Sequence, residues 1–309
     1  MKNRLILRIA TILLLSASPF QAQAWWDIGH MAVATIAYQR LTPATKNWVD
    51  ELIPVLGAHY KDTQSFVESS CWPDDIKRHK IYAFSPMHYT NIPYNPYNLP
   101  LPANAHQEVD ILSGIRDAIT ALESPYAIPL EKAQFLGILV HLVGDLHQPL
   151  HSTSMYSPAH PGGNLGGNLF TLADSSHSNL HKLWDDGCGF FEPWKKRISR
   201  HPMSADAQTA LNEIADAVTK TWPERKLVAP SNLDPAHWAR ESHDLAVAYG
   251  YKGVQSINDR GRKTWIKSGD TPTEMYIAAG QAIVAKQLAT AGYRLARMLN
   301  DIHDRTINH

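Results

Sequence analysis

Residues 141–151 read His-Leu-Val-Gly-Asp-Leu-His-Gln-Pro-Leu-His, placing three histidines and a carboxylate inside an apolar run. His141 and Asp145 are four residues apart, so on a helix both project from one face, at a separation that a single cation can close. Pro149 cannot continue the hydrogen-bond ladder and forces a break just before it. The break can swing His151 back towards Asp145. A carboxylate flanked in this way has two oxygens and can bridge two ions, which one histidine cannot do. The competing reading is a buried helix whose histidines serve only as caps.

Residues 1–24 open with Lys2, Arg4 and Arg8, run through an apolar core, and close Ala22-Gln23-Ala24, the pattern of a secretory signal peptide. The expected boundaries are a leader over 1–24 and one domain over 25–309. No later stretch approaches the roughly 20 apolar residues of a membrane span, so an exported protein, periplasmic or secreted and without stable membrane insertion, is expected. Removing the three basic residues of the leader from 29 leaves 26 Lys and Arg against 29 Asp and Glu, a net charge of about −3. Attraction to nucleic acid would therefore have to be local. Cys71 and Cys188 are the only cysteines, and in an oxidising compartment one disulfide is the default, with two unpaired thiols as the alternative. Sixteen histidines are an excess for which metal is the leading explanation.

Apolar residues recur at three- and four-residue spacing in Val33 to Leu41, Ala44 to Leu56, Gln107 to Leu122, Lys132 to Asp145, Ala205 to Trp222, Pro235 to Tyr249 and Thr273 to Ile302. This predicts an all-α chain, a single mainly helical domain. Ile81 to Ala103 and Ser152 to Ser178 carry Pro, Gly, Asn, Ser and aromatics instead, and read as long functional loops. Only Leu169 to Leu172 resembles a short strand.

Further candidate ligands lie outside the central stretch. His181 and Asp185 repeat the four-residue helical spacing, although such a pair is also common on solvated helix surfaces. Asp74 and His88 sit in loop-like surroundings where either could be an ordinary polar residue. His30 is the sixth residue after the leader, and Trp25 would become the amino terminus.

The ordered set is far more specific than any pair. Trp25-Trp26-Asp27-Ile28-Gly29-His30, Trp72-Pro73-Asp74, His88-Tyr89-Thr90-Asn91, the 141–151 stretch, Gly166-Gly167-Asn168 and His181 through Asp185 resemble the zinc-dependent, single-strand-specific nucleases of the S1/P1 type, the nuclease/3′-nucleotidases. The resemblance extends to Tyr276 to Asn300. The zinc phospholipases C are more distant relatives with the same type of helical fold.

The resemblance implies three Zn²⁺ per chain. One would be held by Asp74, His88 and His141, with Asp145 bridging it to a second held by His30 and the free amino end of Trp25. His151, His181 and Asp185 would hold the third. It further implies catalytic positions at Asp74, Asp145 and Lys77, and substrate contacts at Tyr89, Asn91 and Asn168. The implied reaction is hydrolysis of single-stranded DNA and RNA to 5′-nucleotides, with removal of phosphate from 3′-nucleotides. The protein is expected to be a monomer. Since the ligand segments around Asp74 and Asp185 would converge, the resemblance also implies that Cys71 and Cys188 are bonded.

Two positions depart from the family pattern. Lys77 stands where Arg is common, with Arg78 beside it, and lysine cannot make the bidentate fork. Pro73 replaces a small residue. His147 has no ligand role by the resemblance and is assigned packing or hydrogen bonding; His59, His106, His201 and His237 are read as solvated. A zinc phospholipase C is the alternative function, with phospholipid as substrate, but those relatives usually carry Glu where this chain has Asp185. A non-catalytic zinc-storage protein is disfavoured because mixed His/Asp sites leave open, water-bearing positions.

Overall fold

The computed structural model describes residues 25–307, apart from 106, 175, 201 and 228–231; the leader expected over 1–24, His106 and His201 lie outside the described residues. The chain runs through α1 (Asp27–Tyr38), α2 (Pro43–His59), the one-turn helices α3 (Phe66–Ser69) and α4 (Trp72–Asp75), and β1 (Ile92–Tyr94). It continues with α5 (Ile111–Glu123), α6 (Pro129–Leu146), β2 (Thr153–Met155), α7 (Leu180–Asp185), the short α8 (Glu192–Lys195), α9 (Ala205–Thr221) and α10 (Pro235–Leu245). A β3 (Val254–Ile257), β4 (Lys263–Trp265) hairpin and the long α11 (Glu274–Ile307) complete it. The fold is mainly helical, as the periodicity predicts.

Caps set the helix starts. Thr42 caps α2 ahead of Pro43, Asp110 and Ser113 form a capping box on α5, Asn179 caps α7, and Ser204 caps α9. Asp110 is why α5 begins at Ile111 and not at Gln107. α1 begins at Asp27, six residues earlier than the spacing suggests, because Ile28 and Met31 are buried along with the later apolar residues. This earlier start puts His30 on a helix. The segment expected as one helix from Pro235 to Tyr249 divides into α10 and a π-helical turn, Ala246–Tyr251.

The strand expected at Leu169 to Leu172 does not form; Thr171 makes only an isolated bridge with Asn179. The strands that do form are short. β1 pairs in parallel with β2, Ile92 opposite Thr153, and β3 pairs antiparallel with β4. Three- and four-residue strands are too brief to show an alternating pattern.

The larger core gathers α1, α2, α5, α6, α9 and α11. α1 is buried along ten of its residues, and a Cβ on Gly292 of α11 would fall 2.3 Å from Ile36 Cγ2, so these two backbones meet closely. A smaller core of Leu150, Phe170, Leu180, Trp184, Tyr251, Ile266 and Tyr276 lies beneath the loops. Leu146 belongs to the first and Leu150 to the second. The break before Pro149 therefore falls at the seam between them. Among the described residues no helix is long and apolar enough to cross a membrane.

Candidate metal centre

α6 carries His141 and Asp145, both fully buried. The helix ends at Leu146, and a 3-10 turn at Pro149–Ser152 brings His151 inward. α4 contributes Asp74, α1 contributes His30, and a 3-10 turn over Ser85–His88 contributes His88. α7 supplies His181 and Asp185. The ligand atoms fall into groups lying within 4.8 Å: His30, Asp74 and His141; His88, His141 and Asp145; and His151, His181 and Asp185. The first two share His141, so they form one five-residue cluster, with the third separate.

Asp145 is the junction of the larger cluster. Its Oδ1 lies 3.2 Å from His30 Nε2, while Oδ2 lies 3.1 Å from His88 Nδ1 and 3.3 Å from His141 Nε2. These approaches do not have hydrogen-bond alignment, and both oxygens, with His30 Nε2 and His151 Nε2, are buried polar atoms without a hydrogen-bond partner among the described residues. Such an arrangement is costly unless a further group joins them. The His30 and His141 rings stack at 3.9 Å.

Three histidines have their tautomer set from behind. His141 Nδ1 donates to the Ser70 carbonyl (2.7 Å), His151 Nδ1 to the His88 carbonyl (2.7 Å), and His181 Nδ1 to the Gly166 carbonyl (2.8 Å). Each leaves Nε2 as the lone pair facing inward, the arrangement common behind metal-bound imidazoles. Gly166 has φ +62°, and a Cβ there would lie 2.6 Å from the Leu150 carbonyl oxygen, so only glycine serves this support. Gln148 Nε2 donates to Asp185 Oδ1 at 2.6 Å.

The electrostatics favour added positive charge. Burial raises the Asp145 carboxyl, but the His141 charge together with the facing nitrogens of His141, His30 and His88 outweighs it and holds the group well below the usual range. Asp74 is likewise lowered, burial being overcome by His141 and by Lys77. Asp185 goes the other way, raised by burial and by the charges of Asp145 and Asp74. Burial and Lys77 bring His88 down to about 4. His141 is pulled down by burial but raised overall by the charges of Asp145 and Asp74. A buried set of imidazoles and carboxylates, with nitrogen and oxygen donors only, fits divalent zinc.

The remaining sequence candidates divide. Trp25 is buried against the cluster, its indole N–H donating to the Gly144 carbonyl at 2.9 Å. Lys77 is buried and bonds Asp74 Oδ1 at 2.6 Å, so it is engaged with a carboxylate. Arg78 is exposed and lines a cleft of Trp25, Trp26, Asp74, Lys195 and Arg200. Tyr89 and Asn91 are half-buried on the segment after His88, held there by the Thr90 N–H bond to the His151 carbonyl. Asn168 is turned onto its own loop, Nδ2 donating to the Leu165 carbonyl, so its visible task is to hold the turn that presents Gly166. His147 points away: Nδ1 donates to the Val143 carbonyl and Nε2 accepts from Arg294. His59 and His237 are exposed. Sequence reasoning missed Gln148, Arg294 and the supporting carbonyls; of these only Gln148, beside the Pro149 break, carried a local signal.

The disulfide expectation requires correction. Cys71 and Cys188 are both free and buried. Cys71 Sγ contacts the Asp27 carbonyl and the Ser70 hydroxyl, while Cys188 packs where a Cβ on Gly280 of α11 would meet its sulfur at 2.6 Å. Their segments approach the cluster on different elements, α1 in one case and α11 in the other, and burial pushes both thiols up.

A helical domain that gathers buried histidines and aspartates into two neighbouring clusters has the donor set of a metal-dependent enzyme. Comparison with known families narrows this: the S1/P1 Nuclease model matches residues 25–304. Endonuclease 3 of Arabidopsis thaliana is 26% identical over 305 residues, covering 95% of this chain and 94% of that protein. Nuclease P1 of Penicillium citrinum is 24% identical over 298 residues, 92% of this chain and 99% of the other. Nuclease S1 of Aspergillus oryzae is 26% identical over 286 residues, 89% and 91% respectively. The chain belongs to the S1/P1 nuclease family and is a hydrolase.

Proposed function

We propose that this protein is a zinc-dependent endonuclease that hydrolyses phosphodiester bonds of single-stranded DNA and RNA to 5′-nucleotides and also removes phosphate from 3′-nucleotides. The observation that carries the reading is the pair of buried His/Asp clusters, with Asp145 facing three imidazoles through two different oxygens. Asp74, His88 and His141 would hold one zinc, His30 and the amino end of Trp25 a second, with Asp145 between them, and His151, His181 and Asp185 a third. Bound zinc supplies an acidified water and positive charge for the phosphate and the departing O3′.

The chain's own residues prepare that chemistry. Lys77 fixes the rotamer of Asp74, and Gln148 that of Asp185. Three buried aspartates offset only half of the six charges of three zinc ions, so a mildly acidic protein still presents a positive centre to phosphate. Along the adjoining cleft Arg78, Lys195 and Arg200 are paired with Asp75, Asp186, Glu192 and Asp27, so the positive charge there comes from the ions and not from these side chains. Tyr89 and Asn91 offer a ring and an amide for an unpaired base, a stacking contact worth roughly 1–3 kcal/mol. Export, cleavage after Ala24 and action as a monomer complete the reading.

The test is to incubate purified mature protein, with zinc, with single-stranded DNA, RNA, 3′-AMP and phosphatidylcholine. Release of 5′-nucleotides and of phosphate from 3′-AMP is expected. Turnover of phosphatidylcholine alone would overturn the proposal.

A further inference from the structure

The β3–β4 hairpin takes no part in the centre described above, and its composition departs from the rest of the chain. Of the sixteen residues from Lys252 to Lys267, five are basic (Lys252, Arg260, Arg262, Lys263 and Lys267) and only Asp259 is acidic. Residues 256–265 are all exposed, and among the described residues none of the five cations is in an ion pair. The ladder sets Ile257 opposite Lys263 and Ser256 opposite Thr264, whose hydroxyls bond at 2.7 Å. Alternation along β4 puts Lys263 and Trp265 on one face and Thr264 on the other. Trp265 is 53% exposed. An exposed indole beside unpaired cations has the two elements of a single-strand platform, a ring for bases and charge for phosphates.

The hairpin is also held at both tip and root. At its tip Asn258 Oδ1 accepts from the backbone N–H groups of Arg260 and Arg262. At its root Ile266 is buried, Lys252 Nζ sits 5.4 Å over the Tyr94 ring, and Tyr251 packs on Tyr94 at 5.6 Å. Tyr94 lies on β1, three residues beyond Asn91. Tyr251 Oη donates to Asn164 Oδ1, which also accepts from the Gly167 N–H in the turn that supports His181. The arm is thus carried by the same two loops that border the centre.

We propose that the β3–β4 hairpin is a second binding element for single-stranded nucleic acid. Arg260, Arg262, Lys263 and Lys267 would engage phosphates of nucleotides beyond the scissile one, and Trp265 would stack a base. The proposal rests on the nuclease reading of the centre. It requires affinity to grow with strand length, while a mononucleotide is indifferent to the hairpin.

The experiment uses the zinc-loaded full mature chain, with KM measured for 3′-AMP and for short and long oligothymidylates, per internucleotide bond, over a salt series. Trp265→Ala is expected to raise KM for the long oligomer roughly 5-fold or more. The triple variant Arg260→Gln, Arg262→Gln, Lys263→Gln should lower the salt slope by about 2, at about 0.7 per single-strand phosphate contact. KM for 3′-AMP should stay put in both. A wild-type KM independent of length, or unchanged KM and slope in the variants, would overturn the proposal. So would variants that lose binding to anionic phosphatidylglycerol vesicles yet keep their KM for the oligomer. Should the wild type cut neither oligomer nor 3′-AMP, the nuclease reading fails separately. The arm is then judged by the fluorescence anisotropy of a labelled oligothymidylate, where weaker binding by the triple variant supports it and equal binding overturns it.

Discussion

Asp145→Asn is the substitution on which the reading of the centre turns. Asp145 is fully buried, and its two oxygens face different histidines, His30 on one side and His88 with His141 on the other. An asparagine of the same shape keeps one oxygen and offers an amide nitrogen that does not coordinate in its usual state. Loss of a partner merely behind a ligand typically costs 10–100-fold in metal affinity, so a ligand should cost at least the upper value. A 100-fold loss is about 2.7 kcal/mol of zinc-linked stability per ion. For a domain of this size 1 kcal/mol corresponds to roughly 2–4 °C, giving about 5–10 °C per ion. Because Asp145 would serve two ions and Asp185 one, the zinc-induced rise in Tm should fall about twice as far in Asp145→Asn as in Asp185→Asn. Calorimetry with and without zinc measures the shift, and metal analysis after dialysis measures the ions retained. Equal losses in the two variants would refute bridging by Asp145. Full zinc retention by Asp145→Asn beside zinc loss by His147→Ala would refute the assignment of the whole stretch.

Gly144→Ala would place a methyl 2.8 Å from His30 Nδ1, so the ring must move off Asp145; we expect a loss of about 1–3 kcal/mol and of one zinc, read by Tm and metal analysis. Arg294→Met removes a buried guanidinium that bonds His147 Nε2 and Glu241 and lies over Trp238. Since Glu241 is one-third exposed and can return to water, the cost should be near 3 kcal/mol, with zinc content unchanged, and loss of zinc as well would tie His147 to the metals. A Gly-Ser extension ahead of Trp25 replaces the α-amine by an amide, and is expected to leave the His30 site without zinc; an extended protein with full zinc and activity would exclude the amine as ligand.

Helical phase explains how much of the centre is legible without the structure. The apolar spacing locates α2, α5, α6, α9, α10 and α11, although α5 starts where Asp110 caps it and α10 gives way to a π-helical turn. His141 and Asp145 follow from four-residue spacing on α6, and the family order identifies Asp74, His30 and His88, which local chemistry leaves as ordinary polar residues. Short strands and backbone carbonyls are out of reach. β1 and β2 hold His88 and His151 together through three residues each, and the carbonyls of Ser70, His88 and Gly166 orient three imidazoles without leaving any trace in residue type. The Cys71–Cys188 pairing fails for a related reason. It rests on segments that approach one cluster, but convergence of ligands does not fix the direction of a side chain three residues away.

The three histidines of the central stretch show what decides between ligand and scaffold. All are fully buried and all donate Nδ1 to a carbonyl, so neither burial nor hydrogen bonding separates them. Their other nitrogen does. His141 shares the Asp145 face of α6, and its Nε2 meets an aspartate and a histidine. His147 follows Asp145 by two residues, beyond the helix end and on another side, where its Nε2 meets Arg294, a cation that itself excludes metal there. That guanidinium also holds His147 down to about 3, after the larger effect of burial, and so keeps it neutral as an acceptor. His151 would fall off the face of a continued helix. Pro149 prevents that continuation and Gln148 shapes the turn that replaces it: its Oε1 accepts the Leu150 N–H at 2.6 Å across the break, while its amide holds Asp185. One residue thus shapes the turn into the second cluster and fixes the carboxylate waiting there, which predicts that Gln148→Ala should loosen the His151, His181 and Asp185 site selectively. Metal analysis would show one zinc lost and two kept; loss of all three would mean that the two clusters stand or fall together.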